Sequence, residues 1–569
     1  MTRRAAGITA GSVAGLALAA ALWSAIAGWV FVLGTGLTAY YPFPSGWNAW
    51  WLYKLYSPPS PIVRHWLLNS AALALGCVVC FLIGFVSQLP AFRSHRVRRI
   101  GLGETPRAPQ RAASGLHGTA NWMKKSAAYL LFPGPSGVVV GEIDGRLLID
   151  PCKSGPTHGV VVAGSGTGKT SGITVPCLDT WSGSCVVFDP SCQVGDMAMA
   201  RREEMVQSVV MVGPGGDGFN VLEWIDPADP IAETYVWAAL EWIGGSAKGG
   251  GDNKMFVANA RNLEAAILAD MLWDPDLPPE KRTLREFRRR LCTSEEDMQP
   301  FLAQIHNETR SALARDLSGQ LMAVYGKTFS GVYSHATTET AWLSTPAFAD
   351  MVSGSSFSAS ALCRGNLTAF VQIPMDVLSS TPGVARTVIG ALLKAVYLAQ
   401  GSVEGRILFL LDEARFLGRL LALADARDAG RKYGITVITM WQSLASMADI
   451  WGDDGPSSFF ASASWRLFSG VSDHKTADLV SLECWEYTAV SYSESRTRNQ
   501  GSWLAQGRTF SVSEQGRRLI MPDEVMQLGD GEAILIARGQ RAIRCQVASY
   551  YKRPDMAARF GADRFHTAA

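Results

Sequence analysis

The sequence predicts an α/β protein with a mostly parallel sheet, an inserted all-helical domain and two amino-terminal transmembrane helices. Strand-like runs recur between residues 138 and 537, and several are apolar without interruption, as in strands covered on both faces. Helical segments separate most of these runs, which favours parallel strands over hairpins. The interval 226–355 carries helical patterns instead of such strands. With 569 residues, the chain is long enough for several domains.

Two long apolar runs near the amino terminus predict membrane helices at about residues 8–37 and 66–89. Neither run contains a charged residue, and about 20 apolar residues cross a bilayer. Residues 38–65, rich in Trp and Tyr, form a short external loop in this interpretation, and arginines crowd the stretch after the second run. The positive-inside rule then places the amino terminus and the body of the chain in the cytoplasm. A cleaved signal peptide is the alternative for the first run, but a short apolar core ending in a cleavage site is missing.

The net charge of +2 conceals an uneven distribution. Residues 1–125 hold 12 Lys and Arg and one acidic residue, whereas residues 126–569 hold 40 basic and 49 acidic side chains. Basic character therefore belongs to the membrane-proximal end, and the bulk charge gives no support for a globally basic nucleic-acid-binding surface, so any DNA contact must be local. The cysteines are scattered without zinc spacing, which indicates reduced thiols. Cys77 and Cys80, within the second apolar run, are interpreted as small apolar residues rather than a redox pair.

The run VVVAGSGTGKT at residues 160–170 predicts a phosphate-binding loop between a strand and a helix. Its glycines let successive backbone N–H groups face one point, beside a helix amino terminus that attracts anions. Lys169 is expected to reach the β- and γ-phosphates of ATP, and the hydroxyl of Thr170 to ligate Mg²⁺. Ala163 replaces the first glycine of the strict pattern. The predicted nucleotide-binding residues are Gly164, Ser165, Gly166, Thr167, Gly168, Lys169 and Thr170.

A second nucleotide element is predicted at residues 407–413, ILFLLDE. A buried strand that ends in two carboxylates places Asp412 near Mg²⁺ and Glu413 where it can polarise the attacking water. An acidic pair after an apolar run is, by itself, a common strand end. Together with the phosphate-binding loop upstream, the pair predicts the catalytic half of an ATPase site.

These features divide the chain into consecutive regions. Residues 1–92 form the transmembrane region, and residues 93–116 form a basic linker rich in Pro and Gly. The nucleotide-binding domain is predicted in two parts, 117–225 and 356–569, because the helical interval 226–355 interrupts it. The strands before and after this insertion are expected to join one sheet.

A series of short motifs accompanies the two apolar runs and the phosphate-binding loop. In chain order they are His117-Gly118-Thr119-Ala120, Phe219-Asn220-Val221-Leu222, LLDEARFLG at residues 410–418, Arg431-Lys432-Tyr433-Gly434-Ile435, Gln442-Ser443-Leu444 and Pro522-Asp523-Glu524. Any one tripeptide is weak, whereas their order and spacing are specific. The set spans nearly the whole chain and resembles the coupling proteins of type IV secretion and conjugation, the TraG/TraD-like ATPases.

The resemblance implies a homo-hexameric ring of RecA-like ATPase domains, anchored in the lipid of the bacterial inner membrane. Such a ring uses ATP and Mg²⁺ to pass single-stranded DNA bound to a relaxase, or a protein cargo, to other components of the secretion system. Gln442 matches the polar residue that senses the γ-phosphate. Arg431 matches a candidate arginine finger, for which a solvated helix charge is the alternative. The site residues carried over by position are Lys169, Thr170, Asp412, Glu413, Arg431 and Gln442.

One loop departs from the family pattern, and two other functions stay open at this point. Family members often carry Lys-Gly-Glu after the aspartate of the strand that follows the phosphate loop, whereas Asp189 is followed here by Pro190-Ser191-Cys192-Gln193. The first alternative function is a receptor that docks protein effectors without pumping DNA. The second is a chromosome-segregation translocase of the FtsK kind, whose further membrane helices and winged-helix tail the sequence lacks.

Overall fold

The computed structural model describes residues 2–41, 45–56, 60–86, 110–153, 155, 157–245, 254–498 and 506–564. The chain divides into two compact units, residues 1–108 and 109–569. Most of the predicted basic linker, residues 93–109, lies outside the described residues.

The amino-terminal unit is a pair of long helices with a short helix between them. Their bounds are α1 (Thr2–Thr35), α2 (Ala49–Tyr56) and α3 (Pro61–Val86). α1 and α3 each contain a stretch that is long and apolar enough to cross a membrane, Ala17–Thr35 and Pro61–Cys80 respectively. Both long helices begin several residues earlier than the sequence predicts.

The short helix α2 packs against both long helices. Its Trp50 and Trp51 donate their Nε1–H groups to the carbonyl of Leu67 (2.8 Å) and to Ser24 Oγ (3.0 Å). The Trp23 ring of α1 lies edge-on to both indoles, with centroids 5.1 and 5.9 Å apart. An indole has an apolar ring and a polar N–H group, so these hydrogen bonds satisfy the N–H groups while the rings pack against the long helices. The expected external loop therefore contains a packed aromatic helix that the sequence did not predict.

The carboxy-terminal unit is built on one large sheet. Its strands are β1 (Val138–Ile143), β2 (Arg146–Asp150), β3 (His158–Ala163), β4 (Cys185–Phe188), β5 (Ser208–Val212), β6 (Leu367–Val371), β7 (Ile407–Leu411), β8 (Ile435–Trp441) and β9 (Ala463–Ser469); β10 (Glu486–Arg498) and β11 (Gln506–Arg518) form a separate pair; β12 (Glu532–Ala537) and β13 (Ile543–Gln546) complete the large sheet. The order of the 11 strands is β2-β1-β13-β12-β9-β3-β8-β7-β4-β6-β5. From β9 to β5 every neighbouring pair is parallel, which confirms the predicted mostly parallel sheet.

Strand β3 shows why the central strands read as continuous apolar runs. All of its residues are buried, and the same holds for β4, β6, β7 and β8. Val160 and Val162 belong to the hydrophobic core on one side of the sheet, whereas Val161 and Ala163 belong to the core on the other. Successive side chains of a strand point to opposite faces, so a sheet covered on both faces needs apolar residues at every position.

Helices cover both faces and form the insertion. They are α4 (Lys125–Leu131), α5 (Val175–Thr180), α6 (Val194–Glu204), α7 (Ala232–Gly244), α8 (Lys254–Trp273), α9 (Leu284–Leu291), α10 (Glu295–Glu308), α11 (Ala312–Leu321), α12 (Gly326–Glu339), α13 (Pro346–Ser353), α14 (Met375–Ser380), α15 (Gly383–Leu398), α16 (Leu421–Ala429), α17 (Leu444–Trp451), α18 (Gly455–Ser462), α19 (His474–Glu483), α20 (Pro522–Met526) and α21 (Pro554–Ala557). α7 to α13 lie between β5 and β6 in the chain, so the predicted all-helical insertion is confirmed. The domain limits 117–225, 226–355 and 356–569 stay predictions, because the insertion shares its core with the helices beside the sheet.

The hairpin of β10 and β11 is held at its base by the residues that follow the linker. Thr488 N–H donates to the Gly118 carbonyl (3.0 Å), and Ala120 N–H donates to the Glu486 carbonyl (3.0 Å). Gly118 has φ +132°, and a Cβ there would lie 2.3 Å from the Glu486 carbonyl oxygen. The glycine of the His-Gly-Thr-Ala motif is therefore required by the close approach of β10.

Candidate nucleotide-binding site

The predicted nucleotide residues meet at the carboxyl ends of β3, β7 and β8. These strands are neighbours in the sheet, and ligands of open α/β sheets bind at the carboxyl ends of the strands. A cavity of about 470 Å³ lies there, lined by residues 165–171, Asp412 and Glu413. Sequence segments more than two hundred residues apart thus form one site.

The phosphate-binding loop uses its three glycines for two different reasons. Gly166 and Gly168 have φ values of +74° and +87°, which only glycine adopts without strain. Gly164 instead lies against the turn after β9, where a Cβ would come within 2.6 Å of the Gly470 carbonyl oxygen. Thr167 Oγ1 donates to the Gly164 carbonyl (2.7 Å) and closes the loop. The backbone curl that the glycine spacing predicts is present.

Lys169 is buried at the centre of the loop. Its Nζ donates to the carbonyls of Ala163 (3.0 Å) and Gly164 (3.1 Å) and lies 3.3 Å from Glu413 Oε1. Only 8% of the residue is exposed. An ammonium fixed between the loop and a carboxylate supplies a positive charge beside the point that the loop N–H groups surround.

Thr170 and Asp412 form the part of the site that suits a metal ion. The Thr170 hydroxyl donates to Asp412 Oδ2, while Asp412 Oδ1 is buried and has no hydrogen-bond partner among the described residues. Burial raises the pKa of Asp412 to about 6, helped by the nearby carboxylates of Glu413 and Asp189. A buried carboxylate oxygen without a partner calls for a ligand. A hydroxyl and a carboxylate side by side are the oxygen donors that Mg²⁺ prefers.

Glu413 is held at the cavity by Gln442 and by an unusual backbone conformation. Gln442 Nε2 lies 3.1 Å from both Glu413 carboxylate oxygens. Glu413 has φ +51° and ψ +53°, a left-handed conformation that is costly for a residue other than glycine. This turn allows two consecutive carboxylates, Asp412 and Glu413, to line the same cavity. Arg415 adds a guanidinium 3.8 Å from Glu413 Oε2, a contact that the sequence did not predict.

Arg431 lies near the amino-terminal end of β8, whereas the nucleotide cavity lies at the carboxyl ends of the strands. It belongs to a short 3-10 turn, Gly430–Tyr433, directly before β8, whereas Gln442 directly follows β8. At about 3.3 Å per residue, this strand separates the two positions by about 23 Å. The Arg431 carbonyl accepts a hydrogen bond from Arg406 (3.2 Å), and its side chain is exposed. The structure therefore does not bring Arg431 to the nucleotide cavity of its own chain.

The loop that departs from the family pattern caps a helix. Asp189 Oδ2 accepts hydrogen bonds from the N–H groups of Gln193 (2.9 Å) and Val194 (2.8 Å) at the start of α6, and from Gln372 Nε2 (3.0 Å). The carboxylate is thus engaged by the helix terminus, where negative charge is favoured. Ser191 and Gln193 of this loop line the cavity, so the loop forms a wall of the site.

Two carboxy-terminal segments that the sequence did not predict as part of the site complete the cavity. Residues 528–531 and 549–552 line it. Tyr550 lies perpendicular to Tyr551, with ring centroids 5.7 Å apart, and Lys552 Nζ lies 5.7 Å from the Tyr551 ring centroid. The pattern Gly-Asp-Gly at residues 529–531 was a usable signal, because such turns often approach ligands closely. A half-exposed tyrosine ring beside an ammonium suits a nucleotide base and its phosphates.

Known proteins are similar to this chain over most of its length. The family model described as type IV secretory system conjugative DNA transfer matches residues 120–569. The conjugal transfer protein TraG of Agrobacterium fabrum (strain C58) is 36% identical over 517 residues, covering 85% of this chain and 78% of that protein. The type IV secretion system-coupling protein VirD4 of Bartonella quintana (strain Toulouse) is 32% identical over 491 residues, covering 80% and 76%.

Solved structures with the same fold are those of the conjugative coupling protein TrwB. The trigonal form of TrwBdeltaN70, in complex with sulphate, aligns with a TM-score of 0.55 at 17% identity and covers 78% of this chain and 96% of that chain. TrwB in complex with ADP and Mg²⁺ aligns with a TM-score of 0.54 at 16% identity over the same shares. A further TrwB structure contains the non-hydrolysable ATP analogue ADPNP. Because these sequences are only 16–17% identical to this chain, the TrwB structures show a shared fold and nothing further.

Proposed function

The chain belongs to the type IV secretory system conjugative DNA transfer family, and from this premise we propose that it is an ATP-driven coupling protein. In this role it recruits single-stranded DNA bound to a relaxase, and protein cargo with it, and moves them to a type IV secretion channel. The observation that carries the proposal is the convergence of Lys169, Thr170, Asp412 and Glu413 on one cavity, with Gln442 hydrogen-bonded to the Glu413 carboxylate. These groups are the parts that phosphoryl transfer needs.

Each of these groups has a distinct role in the proposed hydrolysis of ATP. Backbone N–H groups of residues 164–170 surround the phosphates, and the Lys169 ammonium neutralises charge on them. Thr170 and Asp412 are the residues that hold Mg²⁺, which when bound offsets the negative charge of the phosphates. Glu413, oriented by Gln442, accepts a proton from the attacking water. The TrwB complexes with ADP and Mg²⁺ and with ADPNP support ATP and Mg²⁺ as the ligands of this cavity.

Membrane anchoring and assembly are part of the same proposal. The two apolar helices support a position in the bacterial inner membrane, in contact with lipid, with residues after 90 in the cytoplasm. We propose a homo-hexamer whose nucleotide cavities lie at subunit boundaries. Arg431 then serves a neighbouring subunit, because in its own chain it lies at the far edge of the sheet.

Two substitutions test the site. Lys169→Ala is expected to abolish ATP hydrolysis and DNA transfer while the protein still inserts in the membrane. Glu413→Gln is expected to bind ATP but hydrolyse it about 10² to 10⁴ times more slowly, the usual contribution of an oriented base. Lys327→Ala, an exposed lysine of α12 in the insertion, is the matched control and should keep full activity. Normal hydrolysis by either site variant contradicts the site.

The cargo is tested by stimulation of hydrolysis. Full-length protein in lipid nanodiscs should hydrolyse ATP faster when single-stranded DNA is added. A protein that responds to a protein cargo but not to DNA is instead a docking receptor for effectors. Stimulation by double-stranded DNA alone indicates a translocase of the FtsK kind. Each outcome leaves the nucleotide site in place and changes only what the site drives.

A further inference from the structure

Arg406, directly before β7, holds the backbone on both sides of the turn that contains Arg431. Its Nη1 donates to the Arg431 carbonyl (3.2 Å), and its Nη2 donates to the Ile435 carbonyl (2.5 Å). The same guanidinium donates to the hydroxyls of Thr436 (2.9 Å) and Thr157 (2.8 Å). The planar fork of an arginine binds several acceptors in a fixed geometry, which an ammonium cannot do. Arg406 therefore ties the turn to β8 and to the residue before β3.

Other contacts fix the same turn from different sides. The Gly434 N–H donates to the Arg431 carbonyl (3.2 Å), and the Gly434 carbonyl accepts a hydrogen bond from Ile407 N–H (2.9 Å). The ring of Tyr433 packs on Tyr397 of α15, with ring centroids 4.7 Å apart. The backbone around Arg431 is thus anchored to β7 and to α15, which gives its Cα a fixed position.

The side chain of Arg431, in contrast, is not used to hold the fold. It is exposed, and its guanidinium has no hydrogen-bond or ion-pair partner among the residues that the structure describes. The nearby Arg427 is engaged, because it donates to both carboxylate oxygens of Asp428 (2.7 Å each) and lies over the Phe459 ring. A guanidinium without a partner on a fixed backbone is preorganised to bind an anion that another molecule supplies.

The charges at this end of the sheet favour the same interpretation. Burial lowers the pKa of Arg406, and the charge of Arg431 lowers it further. Two guanidiniums held close together repel each other. His158 adds no third charge, because burial lowers its pKa to about 4. An anion bound by Arg431 offsets the repulsion between the two arginines.

We propose that Arg406 is a positioning residue for Arg431: it holds the turn so that the Arg431 guanidinium reaches the γ-phosphate bound by a neighbouring subunit. The inference rests on the homo-hexamer and on the role of Arg431 proposed above. Because the Arg406 guanidinium is already engaged by four acceptors, it acts through Arg431 and not on the phosphate. Six residues of extended strand, about 20 Å at 3.3 Å per residue, separate Arg406 from Asp412 in the cavity of its own chain.

Steady-state ATP hydrolysis by the full-length protein in lipid nanodiscs tests the proposal. Arg406→Gln is expected to lower kcat about 10²-fold, the usual effect of a misplaced catalytic group. The KM for ATP should not change, because the cavity that binds ATP is intact. Arg288→Gln is the matched control, since Arg288 is half-buried in the insertion and donates to the Thr337 carbonyl and to the hydroxyls of Thr340 and Ser344. The control should lower the melting temperature to a similar extent and keep kcat.

A second variant guards against a general loss of folding. Thr436→Val removes one acceptor of Arg406 at a buried position and nearly keeps the shape of the side chain. It is expected to lower kcat about twofold to tenfold, the usual contribution of one hydrogen bond, at unchanged KM. Hydrogen exchange at the Gly434 amide should accelerate in this variant and in Arg406→Gln, because both loosen the turn.

Two further measurements show whether Arg406 acts through Arg431. The double variant Arg406→Gln, Arg431→Ala should hydrolyse ATP no more slowly than Arg431→Ala alone, because no guanidinium is left to misplace. Rings mixed from Arg406→Gln and Glu413→Gln subunits should hydrolyse ATP faster than rings of either variant. The Arg406→Gln subunit keeps an intact cavity, and the Glu413→Gln subunit keeps a well-placed arginine.

Different results overturn the inference and the function on which it rests. Unchanged kcat in Arg406→Gln, while Arg431→Ala is inactive, rejects the positioning role and leaves the role of Arg431 in place. Full hydrolysis by Arg431→Ala rejects the role of Arg431 and the positioning role with it. A double variant slower than Arg431→Ala shows that Arg406 acts elsewhere. The same follows if Arg406→Gln rings mixed with Glu413→Gln stay inactive although Arg431→Ala rings mixed with Glu413→Gln recover.

Discussion

Glu264 of α8 is a fully buried carboxylate whose two oxygens have no hydrogen-bond partner among the described residues. Burial raises its pKa from 4.5 to about 8; Arg261, 3.7 Å away, opposes this shift and Glu339 adds to it. Between these pH values the native state holds a proton that the unfolded state has released. The free energy of unfolding therefore falls as pH rises through this window.

Glu264→Gln is expected to remove this pH dependence. At pH 5 the variant and the natural protein should melt at similar temperatures, because both side chains are neutral. At pH 8 the variant should be more stable by on the order of 3 kcal/mol, since one pKa unit corresponds to 1.36 kcal/mol. Thermal unfolding at both pH values measures the difference. Glu203→Gln, at an exposed position of α6, serves as the control, and an equal slope in both variants would disprove the assignment.

Tyr551 provides a second prediction, for recognition of the nucleotide base. It is 49% exposed at the cavity and lies against Tyr550 and Lys552. Tyr551→Ala is expected to raise the KM for ATP about tenfold, because stacking contributes about 1–3 kcal/mol per base. Hydrolysis of inorganic triphosphate, which has no base, should be unaffected, and Tyr551→Phe should behave as the natural protein. A parallel loss with both substrates contradicts a role in base binding.

At the scale of single residues, the sequence predicted the phosphate-binding loop and the two carboxylates but not the carboxy-terminal wall of the cavity. The residues from Gly164 to Thr170 are contiguous, so their spacing alone identifies the loop. Asp412 and Glu413 follow a buried strand, and the parallel sheet brings that strand end to the loop. Tyr551 and Asp530 reach the cavity only through the order of β12 and β13 in the sheet, and no local pattern contains that order.

Among the elements, the central strands were predictable and the peripheral ones were not. β3, β4, β7 and β8 are buried on both faces and read as apolar runs. β2 and β13 contain exposed polar positions such as Arg146 and Arg544, which weakens the apolar signal. The hairpin strands β10 and β11 are rich in Ser, Thr and Arg, so their composition resembles a loop. Helix α2 is short, and its tryptophans read equally well as interface residues.

The base of the hairpin provides a prediction for an element. Gly118→Ala introduces a Cβ 2.3 Å from the Glu486 carbonyl oxygen at φ +132°. The hydrogen bonds from Thr488 N–H to the Gly118 carbonyl and from Ala120 N–H to the Glu486 carbonyl should then weaken. We expect the substitution to lower the stability of this contact by about 1–3 kcal/mol. Hydrogen exchange at the Thr488 amide should accelerate at least about fivefold. Gly145→Ala is the control, because Gly145 has φ +75° and a Cβ there would have no atom within 4 Å. This control introduces backbone strain without a collision, so it separates the two effects.

Comparable acceleration by Gly145→Ala at Thr488 would show that the two segments are coupled by something other than contact. An unchanged amide in Gly118→Ala would mean that the motif is not the support of the hairpin.

For the whole molecule, the position of Arg431 predicts complementation between subunits. Arg431→Ala should keep ATP affinity and lose about 10³ to 10⁵ in hydrolysis rate if the arginine acts on a neighbour. Arg431→Lys should rescue little, because an ammonium lacks the planar fork of guanidinium. Rings mixed from Arg431→Ala and Glu413→Gln subunits should recover activity, since some boundaries pair an intact arginine with an intact glutamate. Mixed rings that form but stay inactive refute this role.

The position of residues 528–531 and 549–552 in the cavity wall has a consequence during protein synthesis. The ribosome makes the phosphate-binding loop hundreds of residues before these segments, and folding proceeds from the amino terminus as the chain emerges. A nascent or prematurely terminated chain can therefore contain Lys169, Asp412 and Glu413 and still lack one side of its cavity. The wall formed by residues 528–531 and 549–552 is therefore the last part of the cavity to be synthesised, and the site is closed only when nearly the whole chain has been made.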